Sequence, residues 1–367
     1  MKTLGIVFSN IHDKEITELT QKRTLASIPF GGRFRLIDFV LSNMVNSGIG
    51  KVGIITKTNY QSLMDHVGSG KYWDLSRKNG GLMILPPYGA GDRVLYKSRF
   101  EAISGIARFL RRCDEDLIVM TDCNVICNFD YSDVVQYHIA HNADMTVVVH
   151  KGKPNGIATT VHFDKDHRVT SVTNQDKQIE ETNILTNIIV ISRTFLLRLF
   201  ENAPEMGYTS FSRDVLVRGA KEHRIFAYEY DGYFRMIDSL ANYYAYSLEL
   251  LDKRTRNELF NKDGANIYTK VRDSVPCRIT STGKVHDSLV ADGCVIEGEV
   301  RGSILFRGVK VAKGAVITDS IIFQDTEVGA GTKLNCVIAD KEVRILEDRL
   351  LSGYKTHPYY IAKGTII

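Results

Sequence analysis

Short apolar runs alternate with amphipathic stretches along the first two-thirds of the chain. Gly5 to Phe8, "KVGIIT" (Lys51 to Thr56), "DLIVMTD" (Asp116 to Asp122), "DMTVVVH" (Asp144 to His150) and "NIIVIS" (Asn187 to Ser192) are rich in Val and Ile. Unbroken runs of this kind mark strands buried on both faces. Between them, "RFEAISGIARFLRR" (Arg99 to Arg112) and "DVVQYHIAHNA" (Asp133 to Ala143) carry helical spacing, and "RFRLIDFVLSN" sets Leu36, Phe39 and Val40 on one helix face. The alternation predicts an α/β domain over residues 1–250, its sheet mostly parallel and flanked by helices. Ligands of such sheets bind at the carboxyl ends of the strands. The loops after Phe8 and after Met120 are therefore where chemistry is expected.

"NYYAYSLELLDKRTRNELF" (Asn242 to Phe260) reads as a helix passing into a charged linker, residues 251–275. From about Val275 the period changes. Leu305, Val311, Ile317 and Phe323 are spaced by six, as are Val316, Ile322, Val328 and Leu334, and as are Gly302, Gly308 and Gly314. A six-residue period suits neither an α-helix nor one strand. It suits a left-handed parallel β-helix over residues 276–367, each hexad forming one side of a triangular coil and glycines serving the corners. With so few coils, the module is expected to lean on the first domain or on another subunit.

Composition narrows the partners. Of 367 residues, 44% are apolar and 25% charged, as in ordinary globular proteins. A net charge of +4, with no basic run interleaved with aromatics, argues against nucleic acid. No apolar stretch approaches the length of a membrane span, and the N-terminus has no secretory pattern. Six cysteines fit no disulfide framework, and Cys123 and Cys127 lack a second pair to complete a metal site. The chain reads as cytoplasmic, its cysteines as free thiols.

The first loop is unusual. "SNIHDKEITEL" stands where a phosphate-binding glycine loop would follow the first strand, yet it has no glycine and carries Asp13, Glu15 and Glu18. The surrounding frame is more familiar. "PFGGRFRLIDFVLSNMVNSGIGKVGIIT" (Pro29 to Thr56) and "QSLMDHVGSG" closely resemble the signature of the glucose-1-phosphate adenylyltransferase (ADP-glucose pyrophosphorylase) family. The resemblance runs over essentially the whole chain. It implies a Rossmann-like nucleotidyltransferase domain followed by a left-handed β-helix. Family enzymes make ADP-glucose from ATP and glucose 1-phosphate with magnesium.

The reactive motifs depart from that family. Against its "LAGGRGTRLKPLT" this chain has "FSNIHDKEITELT": Asn10, Ile11 and Asp13 replace glycines, and Glu15 replaces the arginine that meets the triphosphate. Side chains block the approach of backbone N–H groups to phosphate, and a carboxylate repels it. In "TDCNVICNFDY" Asn124 stands at the first metal aspartate, and in "YFRMIDS" Met236 stands at the second. Amide and thioether are poor substitutes for carboxylates around magnesium. Asp122 and Asp238, each two residues away, are the candidates for a shifted metal site in an active enzyme. The family's sugar-phosphate lysine falls near Asn174, with Lys177 close by; its "GTADA" is replaced by Ser98 to Ala102, and the lysine of its "KPAV" by Leu25.

Loss of so many contacts resembles the GlgD-type regulatory subunits of bacterial glycogen synthesis. It implies no catalytic residues, no bound cofactor, and assembly with a catalytic ADP-glucose pyrophosphorylase subunit, as a tetramer by resemblance. Lys22 and Arg35 match basic residues that help bind sugar-phosphate effectors in the family, although Pro29 replaces a histidine of that pattern. A β-helix acyltransferase would need a histidine between coils; His286 and His357 lie outside the hexad runs and read as surface residues.

Overall fold

The computed structural model describes residues 1–87, 96–153, 158–175 and 181–367. In its first domain a nine-stranded sheet runs Val169–Gln175, Ala158–Phe163, Thr182–Ser192, Leu117–Asp122, Thr3–Phe8, Lys51–Ile55 and Gly81–Leu85; Met145–Gly152 pairs with Thr182–Ser192 and carries Ile225–Glu229. The central strands are parallel, Thr3–Phe8 lying between Lys51–Ile55 and Leu117–Asp122. Thr182–Ser192 runs antiparallel to all three strands it pairs with, so "NIIVIS" forms part of a longer antiparallel strand.

Two helices differ from their sequence patterns. Arg99 to Arg112 is two pieces, Arg99–Ser104 and Ala107–Arg111, broken after Gly105. Leu36–Asn46 is buried around its whole circumference from Leu36 to Met44, rather than on one face. Its polar positions are used inside: Asp38 accepts from the Arg35 N–H at 3.0 Å and pairs with His66, and Asn43 Nδ2 donates to the Cys127 carbonyl at 3.1 Å. The preceding "PFGG" turns a hairpin between Pro29–Phe30 and Phe34–Arg35, with Gly31 and Gly32 at φ of 59° and 83°. Those angles favour glycine, and a side chain at Gly31 would press on Leu250.

The segment 251–275 is docked rather than a free linker. Helix Lys253–Phe260 buries Leu259 and stacks Phe260 on Phe34 with centroids 4.9 Å apart. Asn128 Nδ2 donates to the carbonyls of Leu259 and Ala265 at 2.8 and 2.7 Å.

The C-terminal region is the left-handed β-helix: three five-stranded parallel sheets, successive coils in register. Leu305, Val311 and Ile317 point inward and are all at most 1% exposed, whereas Phe323, at the same spacing, packs into the core shared with the first domain. Gly302, Gly308 and Gly314 have positive φ, as the corners require. Asp319, Asp325, Cys336, Glu342 and Asp348 also adopt positive φ. The β-helix rests on the first domain through Ile304, Phe306, Ile321 and Phe323, which share a core with Phe30, Phe39 and Tyr243. The Tyr243 hydroxyl donates to the Pro29 carbonyl at 2.6 Å and its ring meets Phe323 edge-on.

Candidate functional site

Parallel pairing sets Phe8 beside Asp122, so the loops that follow the two strands converge. His12 lies between two carboxylates: Nδ1 donates to Glu15 and Nε2 to Asp122, both at 2.7 Å. Arg99, at the start of its helix, also donates to the same oxygen of Asp122. Burial alone would lower the His12 pKa, but the charge and hydrogen bond of Asp122, followed by those of Glu15, raise it to about 9. Asp122 is fully buried; that opposes ionisation, and Arg99 and His12 outweigh it, holding the carboxyl below its ordinary range. A chain Glu15–His12–Asp122–Arg99 thus fills the end of the first strand with the protein's own charges.

Asp13 turns away from this chain. Its Oδ1 accepts the Leu25 N–H at 2.8 Å, and its carbonyl accepts the Thr20 hydroxyl at 2.6 Å, closing the loop on itself. Burial pushes its carboxyl up to about 7, against the lowering effect of the Leu25 bond. Of the acidic residues in the loop, Glu15 is the one that lines the adjoining cleft.

The cleft encloses about 900 Å³. Phe234–Met236 lines it, a strand paired antiparallel with Val125–Cys127, in which Met236 faces Val125. The Ile237 N–H donates to the Asn124 carbonyl at 2.7 Å, making Asn124 and Met236 neighbours at one wall. Asn124 is 1% exposed, and neither atom of its amide has a partner among the described residues; nor does Asp122 Oδ1. Asp238 accepts from Asn242 Nδ2 at 2.5 Å and from the Ser239 hydroxyl at 3.1 Å. Arg235 Nε donates to Glu249 at 2.9 Å.

A second polar cluster lies where the two domains meet. Arg23, buried, donates through one nitrogen to both oxygens of Asp340, at 2.8 and 3.0 Å, and Tyr360 donates to the same carboxylate at 2.9 Å. Arg35 donates to the carbonyl and hydroxyl of Ser62 at 2.6 and 3.0 Å. Burial lowers Arg35 to about 10 against the pull of Asp38, and repulsion from Arg272 and Arg23 adds to the fall. Lys341 falls to about 7, first through burial and then through Arg35 and Arg23. Arg23 Nη1 is buried without a partner among the described residues.

A nucleotidyl transferase profile matches residues 14–218, and a GlmU-like C-terminal hexapeptide profile matches residues 274–355. The chain is 34% identical to the glycogen biosynthesis protein GlgD of Bacillus subtilis, over 99% of this chain and 96% of that one. It is 37% identical to the GlgD of Geobacillus stearothermophilus, over 100% and 97% respectively. Against the glucose-1-phosphate adenylyltransferase of Geobacillus stearothermophilus it is 32% identical, over 86% and 83%. The chain belongs to the GlgD and glucose-1-phosphate adenylyltransferase family.

Within that family frame, the fold brings Glu15, Asn124 and Met236 to a single cleft, although they come from three separate segments. Asp122 and Asp238 reach the same region already engaged, the first by His12 and Arg99, the second by Asn242 and Ser239. Lys22 is exposed, whereas Arg35 is buried at the domain joint beside Arg23. Lys177 lies outside the described residues. His286 and His357 are exposed, and all six cysteines are free, with Cys277 alone not fully buried. No helix among the described residues is long and apolar enough to cross a membrane. Sequence reasoning missed His12, Arg99 and Asp340. A histidine three residues before a glutamate, inside a loop that has lost its glycines, was the available signal for the first. Nothing in linear spacing joins Arg23 to Asp340.

Proposed function

We propose that this chain is a non-catalytic, regulatory subunit of ADP-glucose pyrophosphorylase in cytoplasmic glycogen synthesis. It pairs with a catalytic homologue that makes ADP-glucose from ATP and glucose 1-phosphate, and raises that homologue's activity. The observation that carries this reading is the Glu15–His12–Asp122–Arg99 chain. A triphosphate placed at the end of the first strand meets Glu15 and must displace internal ion pairs. Like charges at about 4 Å repel by roughly 1–4 kcal/mol, depending on solvation.

The donors at hand do not fit magnesium. Asn124 and Met236 bring no negative charge, and Asp122 is already neutralised by two cations that would repel a third. This argues against the alternative of an active enzyme using Asp122 and Asp238 as shifted ligands. The full-length relatives named GlgD support the same role. The basic joint of Arg23, Arg35 and Lys341, with Lys22 exposed next to Arg23 in the chain, is assigned on this reading to an anionic, sugar-phosphate effector.

A coupled pyrophosphate-release assay on the pure chain, with ATP, magnesium and glucose 1-phosphate, is the test. Each missing transition-state contact lowers the rate by about 10²–10³, so turnover should be undetectable. Turnover near about 1 s⁻¹, as ordinary enzymes show, overturns the reading.

A further inference from the structure

The cleft keeps a built interior although its charges are spent on one another. Asn124 is almost wholly buried, lines the cleft, and leaves both amide atoms without partners among the described residues. A buried amide in that state is destabilising unless something bonds to it. Such an amide offers one acceptor and two donor hydrogens, which a ligand reaches when the side chain turns into the cleft that its residue lines.

The charges around it are matched in sign. His12, Arg99, Arg235 and Lys153 stand against Glu15, Asp122, Asp238 and Glu249. Most are already paired: His12 with Glu15 and Asp122, Arg99 with Asp122, Arg235 with Glu249. Lys153 is exposed at the rim. Apart from Lys153 at the rim, these cations are already engaged, and an anion must also face Glu15, whereas an uncharged ligand disturbs none of these pairs. Hydroxyls and amides, among them Ser98, Asn187, Ser239 and Asn242, make up most of the remaining polar lining, with the His150 ring, whose Nδ1 is bonded to the Tyr230 carbonyl at 2.8 Å. A volume of about 900 Å³ is ample for a small ligand.

We infer that the cleft binds a neutral polyhydroxylated ligand, a sugar without phosphate, with Asn124 as its buried anchor. Hydroxyl groups both donate and accept, which matches the mixed demand of an amide better than an acceptor-only phosphate does. This inference is independent of the loss of adenylyl transfer. Its failure leaves the regulatory role standing, and detectable turnover overturns that role without deciding what the cleft holds.

Calorimetric titration of the full-length chain, free of nucleotide and metal, decides the matter with glucose, maltose, glucose 1-phosphate and adenosine as probes. Glucose or maltose should saturate at about millimolar concentration or below, with glucose 1-phosphate binding no more tightly. Asn124→Ala should weaken the neutral sugar about tenfold, the worth of one or two good hydrogen bonds. Glu15→Gln and Glu249→Gln, which leave a cation unmatched, should each shift preference toward glucose 1-phosphate. Tighter binding of glucose 1-phosphate to the unaltered chain overturns the inference, as does binding of adenosine alone or no sugar binding up to about 10 mM. If Asn124→Ala does not fold, the comparison of probes on the unaltered chain still decides.

Discussion

Asp13 is a carboxylate placed to cap a backbone N–H in a setting too dry for its charge. Its pKa rises from the ordinary 3.8 to about 7, so the fold favours the protonated form. A group with a raised folded pKa contributes stability fully below its unfolded pKa and loses it as pH climbs through the folded value. For Asp13 that window runs from about 4 to about 7. Asp13→Asn keeps the acceptor for Leu25 and removes the charge. Thermal melting should therefore show the variant more stable than the parent at pH 8, by at most about 4 kcal/mol at about 1.4 per pKa unit and by roughly 1–3 kcal/mol once the partial exposure of Asp13 is allowed for, and nearly equal near pH 4. An unchanged difference across that range contradicts the assignment. His12 acts in the same direction at higher pH: its stabilising charge is present below about 6.5 and is lost as pH rises through about 9. At this scale the sequence was only partly legible. The loss of glycines and the arrival of Glu15 could be read directly. The fate of each acid could not, because Asp13 and Glu15 differ in role through which strand end and which backbone N–H lies within reach.

Elements were legible where a period dominated. The hexads of the β-helix and the central strands need only the local pattern to be recognised, and both are present. The split at Gly105, the antiparallel placement of Thr182–Ser192 and the docking of helix Lys253–Phe260 depend on tertiary partners that no window of sequence contains. The joint between domains is of the same kind. Arg23 and Arg35 come from the first domain, and Asp340, Lys341 and Tyr360 from a late coil, and together they make a basic cluster around the Asp340 carboxylate. Desolvated like charges such as these favour a bound anion, which would raise Lys341 back toward its ordinary pKa. Replacing Lys22 and Arg35 by Ala should abolish the response of the mixed complex to sugar phosphates, measured as its rate of pyrophosphate release, by about 5-fold or more, the lower end of typical coupling. An unchanged response removes the effector assignment.

As a whole molecule, the chain preserves shape while spending its reactive groups on internal pairs. The hairpin at Gly31 and Gly32, the buried helix Leu36–Asn46 and the complete β-helix are intact. A copy of this kind can still bias the conformational equilibrium of a neighbour through packing, with coupling of about 1–3 kcal/mol, or 5–150-fold. The most direct test titrates the purified chain into a catalytic homologue and follows ADP-glucose formation, with size-exclusion chromatography on the same mixtures. The account predicts one mixed oligomer and a rate that rises at least about 5-fold and then saturates at a fixed ratio of the two chains. Two separate peaks at micromolar concentrations, with the homologue's rate and apparent substrate affinity unchanged, would contradict it.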